Sequence, residues 1–176
     1  MLGSLRLIRR TKKESASFGV FAHRKAFTLV EVLLIVAIIG TLLALVIPSY
    51  TNLLEKSRTN QAITDIVKIS QKLDEFLADH GTLPETLNEL IQHTKPLNLI
   101  DPWGNPYEYL VILGQDKSDI QGKWRKDRFM VPINTDYDLY SMGEDEESQA
   151  PLTAQASWDD IIRANDGAYI GFAHEY

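Results

Sequence analysis

The chain has 176 residues, 44% hydrophobic and 24% charged, with a formal net charge of −6 and no cysteine. That length suits one modest domain with additions, and without thiols any staple has to be packing, oligomerisation or a metal rather than a disulfide. The charge is unevenly divided. Residues 1–26 carry seven Lys/Arg against one acid, a net +6, and the rest of the chain carries −12, which argues against a nucleic-acid partner for the body and admits a cation site there.

The basic arm of residues 1–26 stands directly before an apolar run, which reads as a cytoplasmic flank under the positive-inside rule. From Phe27 to Ile47 there are 21 residues with a single charge, and 15 of them are Leu, Ile, Val or Phe. On the insertion scale these contribute about −4 to −9 kcal/mol, against a few kcal/mol for one acid near the end. The run is long enough to span a bilayer. Glu31 is its one ionisable residue, and a carboxylate inside a span calls for a partner. A chain cut between Ala26 and Phe27 would supply one, because the new α-amino group would lie about 6 Å along the helix from Glu31. The pair could form within one chain or between neighbours.

Pro48 is expected to kink or locally melt the helix. Beyond it Ile63, Ile66, Val67, Ser70, Leu73 and Leu77 recur at helical spacing, opposite Lys68, Gln71, Lys72, Asp74 and Glu75, so residues 51–80 read as an amphipathic continuation that ends at Gly81. "TLPETLNELI" reads as a short second helix capped by Thr86 or Thr82, with Pro84 in its first turn. Asp-Pro and Gly-Asn-Pro then mark turns, "YEYLVIL" a strand, "GQDKSDIQGKW" a polar turn or hairpin loop, "RFMVPI" a second strand and "YDLYSM" a third. Residues 143–160 form an acidic loop, and "NDGAYIGFAHEY" is a last strand or a loop covering the sheet. The fold class is therefore α+β: a long N-terminal transmembrane and amphipathic helix packed on a small antiparallel sheet carried by residues 81–176.

"KAFTLVEVLLIVAIIGTLLALVIPSY" resembles the signal of type IV pilins and of the pseudopilins of type II secretion: a basic leader, a small residue, then Phe-Thr-Leu-(Ile/Val)-Glu and an apolar helix. "HGTLPETLNELI", "DPWGNPYEYL" and "DLYSMGED" are similar to body segments of the major pseudopilin of type II secretion, in the same order. The resemblance implies a pilin-like fold with a leader over 1–26, cut by prepilin peptidase between Ala26 and Phe27. It further implies methylation of the Phe27 amine, a membrane and assembly helix over 27–50, and a docking role for Glu31. Ala26 departs from the glycine usual before the cut. The implied protein is a structural filament subunit, not an enzyme, anchored in the bacterial inner membrane through residues 27–47 with its body in the periplasm. Its implied partners are copies of itself, other pseudopilins, the peptidase and an inner-membrane assembly platform. A type IV pilus or DNA-uptake subunit, and a membrane-anchored periplasmic binding module that never polymerises, are the alternatives.

The resemblance also implies calcium in the acidic loop. Carried over by motif, the ligands are the carbonyl of Met142, Asp145, the carbonyl of Ser157, Asp159 and Asp160. For catalysis the residues offer little. The four histidines are scattered without metal-ligand spacing, there is no phosphate loop, and Asp159 and Asp160 are adjacent rather than facing.

Overall fold

Thr28 starts the first helix. Its hydroxyl accepts the amide N–H of Glu31 at 3.2 Å, satisfying one of the amides a helix start leaves open. Helix α1 then runs over Leu29–His80. The computed structural model describes residues 26–93 and 97–176, so the basic leader expected over 1–26 lies outside the described residues except for Ala26. Helical structure continues through Pro48, and the local melting expected there is not seen. The hydroxyl of Ser49 donates to the Leu45 carbonyl at 3.2 Å and that of Thr51 to the Pro48 carbonyl at 3.0 Å, so side chains supply bonds around the position where the proline has no N–H to give.

The chain divides between Ala44 and Leu45 into two units. In the first, every described residue is exposed. In the second, α1 turns a buried stripe of Ala62, Ile66, Ile69, Leu73 and Phe76 toward Leu87, Leu90, Tyr107, Tyr137, Leu139 and Ile161. Burying each Ile or Leu of that stripe stabilises by roughly 1.5–3 kcal/mol. The stripe differs from the sequence expectation: Ile69 and Phe76 lie deep, whereas Val67 and Leu77 are only partly covered. The helix ends as expected, with Gly81 at φ +75° and its amide donating to the Leu77 carbonyl at 2.8 Å.

Helix α2 (Leu87–His93) is capped by Thr86, whose hydroxyl accepts the Glu89 amide at 3.4 Å, while the Glu89 carboxylate reaches back to the Glu85 amide at 3.0 Å. Pro84 therefore precedes the helix instead of sitting in its first turn. Strand β1 (Glu108–Val111), helix α3 (Lys117–Ile120), β2 (Tyr137–Ser141), β3 (Ile161–Ala164) and β4 (Tyr169–Phe172) follow. The strands form one antiparallel meander in the order β1-β2-β3-β4.

Two expectations change here, and one strand was not expected. "RFMVPI" is not a strand: β1 pairs directly with β2, Glu108 opposite Tyr140, and β2 pairs with β3 on its other side, so no place beside β2 is left. "GQDKSDIQGKW" contains α3, whose N-cap Asp116 accepts the Ser118 amide at 2.9 Å. Ile112, Ile120 and Trp124 bury a small cluster under this connection. Finally, "IIRA", which the sequence reading assigned to no element, is β3, and all four of its residues are buried.

Candidate functional site

At the start of α1, Phe27 is 71% exposed and Leu29 75% exposed. Thr28-Leu-Val-Glu31 has capping-box spacing, and the arm from Thr28 to the Glu31 amide is formed. Glu31 also puts its negative charge in the first turn of α1, the end where the helix dipole favours it. The side chains from Phe27 to Leu54 remain exposed all round the helix. Among the described residues this helix is long and apolar enough to cross a membrane, and its apolar stretch is not buried inside the protein. Such a surface has to be covered by lipid or by other helices.

In the body, the segments "DPWGNPY" and "DLYSMGED" meet at one carboxylate. Asp101 Oδ1 accepts the backbone amides of Trp103, Gly104 and Asn105 at 3.0, 2.9 and 2.8 Å, and Gly104 takes φ +108°, a conformation that suits glycine. Asp101 Oδ2 accepts the Ser141 hydroxyl at 2.5 Å, and Ser141 Oγ in turn accepts the Gly143 amide at 3.2 Å. One buried aspartate thus closes the first turn and ties it to the end of β2.

The acidic loop is organised around hydrogen bonds and a guanidinium. Asp159 Oδ2 accepts the amides of Glu144 and Asp145 at 2.9 and 3.1 Å, and Asp145 Oδ1 accepts the Glu147 amide at 2.9 Å. Asp160, fully buried, pairs with the guanidinium of Arg125, itself 2% exposed. Asp160 also accepts the Ser148 hydroxyl at 2.7 Å. Arg125 Nη1 donates to Ser148 Oγ at 2.5 Å and to the Gln149 carbonyl at 2.6 Å, and its guanidinium lies 4.3 Å from the Tyr140 ring centroid. Asp138 anchors the arginine's backbone by accepting its amide at 2.6 Å, and it also takes Asn134 Nδ2 at 2.9 Å. Burial pushes the Asp138 carboxyl above the usual range, opposed by those two hydrogen bonds.

The calcium set expected from the sequence is Met142, Asp145, Ser157, Asp159 and Asp160, and the structure places these residues as follows. Calcium takes six to eight oxygens, and among the described residues no three His, Cys, Asp or Glu side chains are placed to share a metal ion. Of the five residues named, Asp160 pairs with Arg125, Asp159 accepts two amides through Oδ2, and Asp145 accepts one amide in a local turn through Oδ1. Met142 is half-buried and Ser157 buried, and the Ser157 hydroxyl bonds to the Gln149 carbonyl at 2.8 Å.

Residues 49–156 match the model of a family described as type II secretion system (T2SS), protein G. The chain belongs to that family, the major pseudopilins of type II secretion. A type II secretion system core protein G of Vibrio cholerae is 36% identical over 102 residues, spanning 48% of this chain and 68% of that protein. The core protein G of Pseudomonas aeruginosa is 33% identical over 105 residues, 50% of this chain and 74% of that protein. The core protein G of Pectobacterium carotovorum is 31% identical over 133 residues, 73% of this chain and 74% of that protein. No solved structure matches the chain. The family match takes in α1 from Ser49 onward, the Asp101 turn and the acidic loop as far as Ala156, so the Asp101–Ser141 junction lies wholly within it.

Sequence reading missed Arg125, Ser148 and the pairing of Asp101 with Ser141. The Asp-Pro-Trp-Gly turn signalled that Asp101 would accept local amides. Nothing local marked Arg125, which sits in a stretch rich in lysine and aspartate and whose guanidinium hydrogen-bonds to partners 23 to 35 residues away.

Proposed function

We propose that this chain is a structural filament subunit of a type II secretion pseudopilus, built up by packing of α1, and that it is not an enzyme. The observation that carries the reading is the exposed apolar stretch from Phe27 to Ile47, helical from Leu29, with Glu31 as its one charge, on a chain whose body matches the pseudopilin family. Before assembly, residues 27–47 sit in the inner membrane as a single span. The basic leader holds the N-terminus on the cytoplasmic side, and the body lies in the periplasm. In the filament, α1 helices of neighbouring copies and of other pseudopilins take the place of lipid. Prepilin peptidase cuts between Ala26 and Phe27, the Phe27 amine is methylated, and Glu31 pairs with that amine on a neighbouring subunit as it docks at the inner-membrane assembly platform.

Two measurements test this. The intact mass of the membrane form should correspond to a chain beginning at methylated Phe27; a mature protein that keeps Met1–Ala26 in cells with active peptidase would overturn the processing step. Glu31→Ala should still insert, because loss of a charge makes the span more apolar, while filament yield falls sharply. Normal filaments from that variant would leave the carboxylate without an assembly role and favour a simple anchor.

A further inference from the structure

The acidic loop carries Glu144, Asp145, Glu146, Glu147, Asp159 and Asp160, and like charges crowded together repel unless a cation sits among them. We infer that Arg125 is that cation: its buried guanidinium staples the loop over 143–160, so this body holds the loop without calcium. Four contacts support the assignment. Nη2 pairs with Asp160, Nη1 bonds to Ser148 Oγ and to the Gln149 carbonyl, and the guanidinium face covers Tyr140. The first three reach two separate parts of the loop, its interior at 148–149 and its end at 160, and so tie one to the other.

The arrangement suits a guanidinium and not a divalent metal. Arginine offers five donors in a fixed planar fork, and here that fork meets one carboxylate, one hydroxyl and one carbonyl. Calcium needs six to eight oxygens converging on a point. Asp160 brings one unpartnered oxygen, Oδ1, while its other oxygen belongs to Arg125 and Ser148. A metal ion at Asp160 would also be set against the buried positive charge of Arg125. The arginine is held from behind as well, because Asp138 takes its backbone amide and β2 fixes Asp138. The staple therefore joins the long β1–β2 connection, the acidic loop and β3, which begins one residue after Asp160.

The test uses the full chain in detergent micelles and a Glu-specific endoprotease, with cleavage after Glu144, Glu146 and Glu147 followed by mass spectrometry. Wild-type protein should be cut at the same rate in millimolar calcium and in excess chelator, and its Tm should be the same in both. A loop closed by calcium would instead gain roughly 5–10 °C in Tm at a hundredfold excess over Kd. Asp160→Asn, which leaves the guanidinium buried and uncompensated, should be cut on the order of a hundredfold faster, with or without calcium. Should that variant not fold, Ser148→Ala, which removes one bond to each member of the pair, should speed cleavage more modestly and again independently of calcium. Calcium-dependent protection of the wild-type loop would overturn the inference. So would cleavage of Asp160→Asn, or of Ser148→Ala in its place, at the wild-type rate.

Discussion

The indole N–H of Trp103 donates to Glu55 Oε2 at 3.2 Å, across 48 residues of sequence. Glu55 also pairs with Arg58, one turn further along α1, at 2.6 Å. The turn closed by Asp101 is thereby fastened to the helix through its own tryptophan. Trp103→Phe keeps most of the apolar contact and removes the donor, and it should cost about 1 kcal/mol, or roughly 2–4 °C in Tm for a chain of this size. Glu55→Gln keeps an acceptor and should cost less. Thermal melts of the two variants check the order, and a larger loss in Glu55→Gln would contradict it.

Asp101 satisfies three amides and a hydroxyl at once. Asp101→Ala leaves all four without this acceptor and should destabilise by about 3 kcal/mol. Asp101→Asn retains one oxygen for the turn and should recover part of that. Denaturant titration read by tryptophan fluorescence would report both, because Trp103 sits in the turn itself.

Gly143 stands at φ +72°, and a Cβ there would come within 2.5 Å of Asp159 Oδ2 and 2.6 Å of the Asp159 carbonyl. The backbone conformation and the close approach both penalise a side chain, so Gly143→Ala should cost about 2 kcal/mol or more. Gly114→Ala is a useful control: it shares the positive φ, at +78°, but a Cβ there meets nothing within 4 Å. Its smaller loss would isolate the clash from the backbone term.

Asp166 supplies a pH-dependent contribution. Burial raises its carboxyl, but hydrogen bonds from the Thr135 amide at 2.6 Å and the Thr135 hydroxyl at 2.8 Å, with Arg163 nearby, outweigh that and hold it below the usual range. A folded-state value below the unfolded one means that the stabilisation is complete above about pH 4, the ordinary aspartate range, and is lost as pH falls through the folded-state value. Asp166→Asn should therefore melt lower than wild type near neutrality, by about 1 kcal/mol after allowing for solvent screening, and the difference should shrink below about pH 4. Asparagine tolerates the left-handed conformation at this position, φ +52°, as well as aspartate does, so the backbone adds no separate penalty. A gap that stays constant down to low pH would assign the loss to packing.

Local signals determined a large part of this protein. The length and composition of Phe27–Ile47 are enough to show a stretch long and apolar enough to cross a membrane, because a bilayer asks only for enough consecutive apolar residues. Thr86 and Gly81 mark helix ends because a cap acts on amides and carbonyls within a few positions. Asp-Pro-Trp-Gly and Tyr-Asp-Leu-Tyr-Ser gave a turn and a strand for the same reason, and together with the Phe-Thr-Leu-Val-Glu signal they pointed to the family that residues 49–156 then matched.

What only the tertiary structure decided depends on partners far along the chain. The face of α1 that turns inward is set by what packs on it, which is why Ile69 and Phe76 are buried in preference to Val67 and Leu77. "RFMVPI" has strand-forming residues, yet β1 and β3 already occupy both sides of β2, and Phe129 is left 91% exposed. "IIRA" lies behind an acidic run, but as β3 it is buried between β2 and β4. Arg125, in a polar loop, is buried because Asp160, Ser148 and Gln149 surround its charge. A charged side chain leaves water only when its partners are already in place, and those partners come together only when the loop folds back.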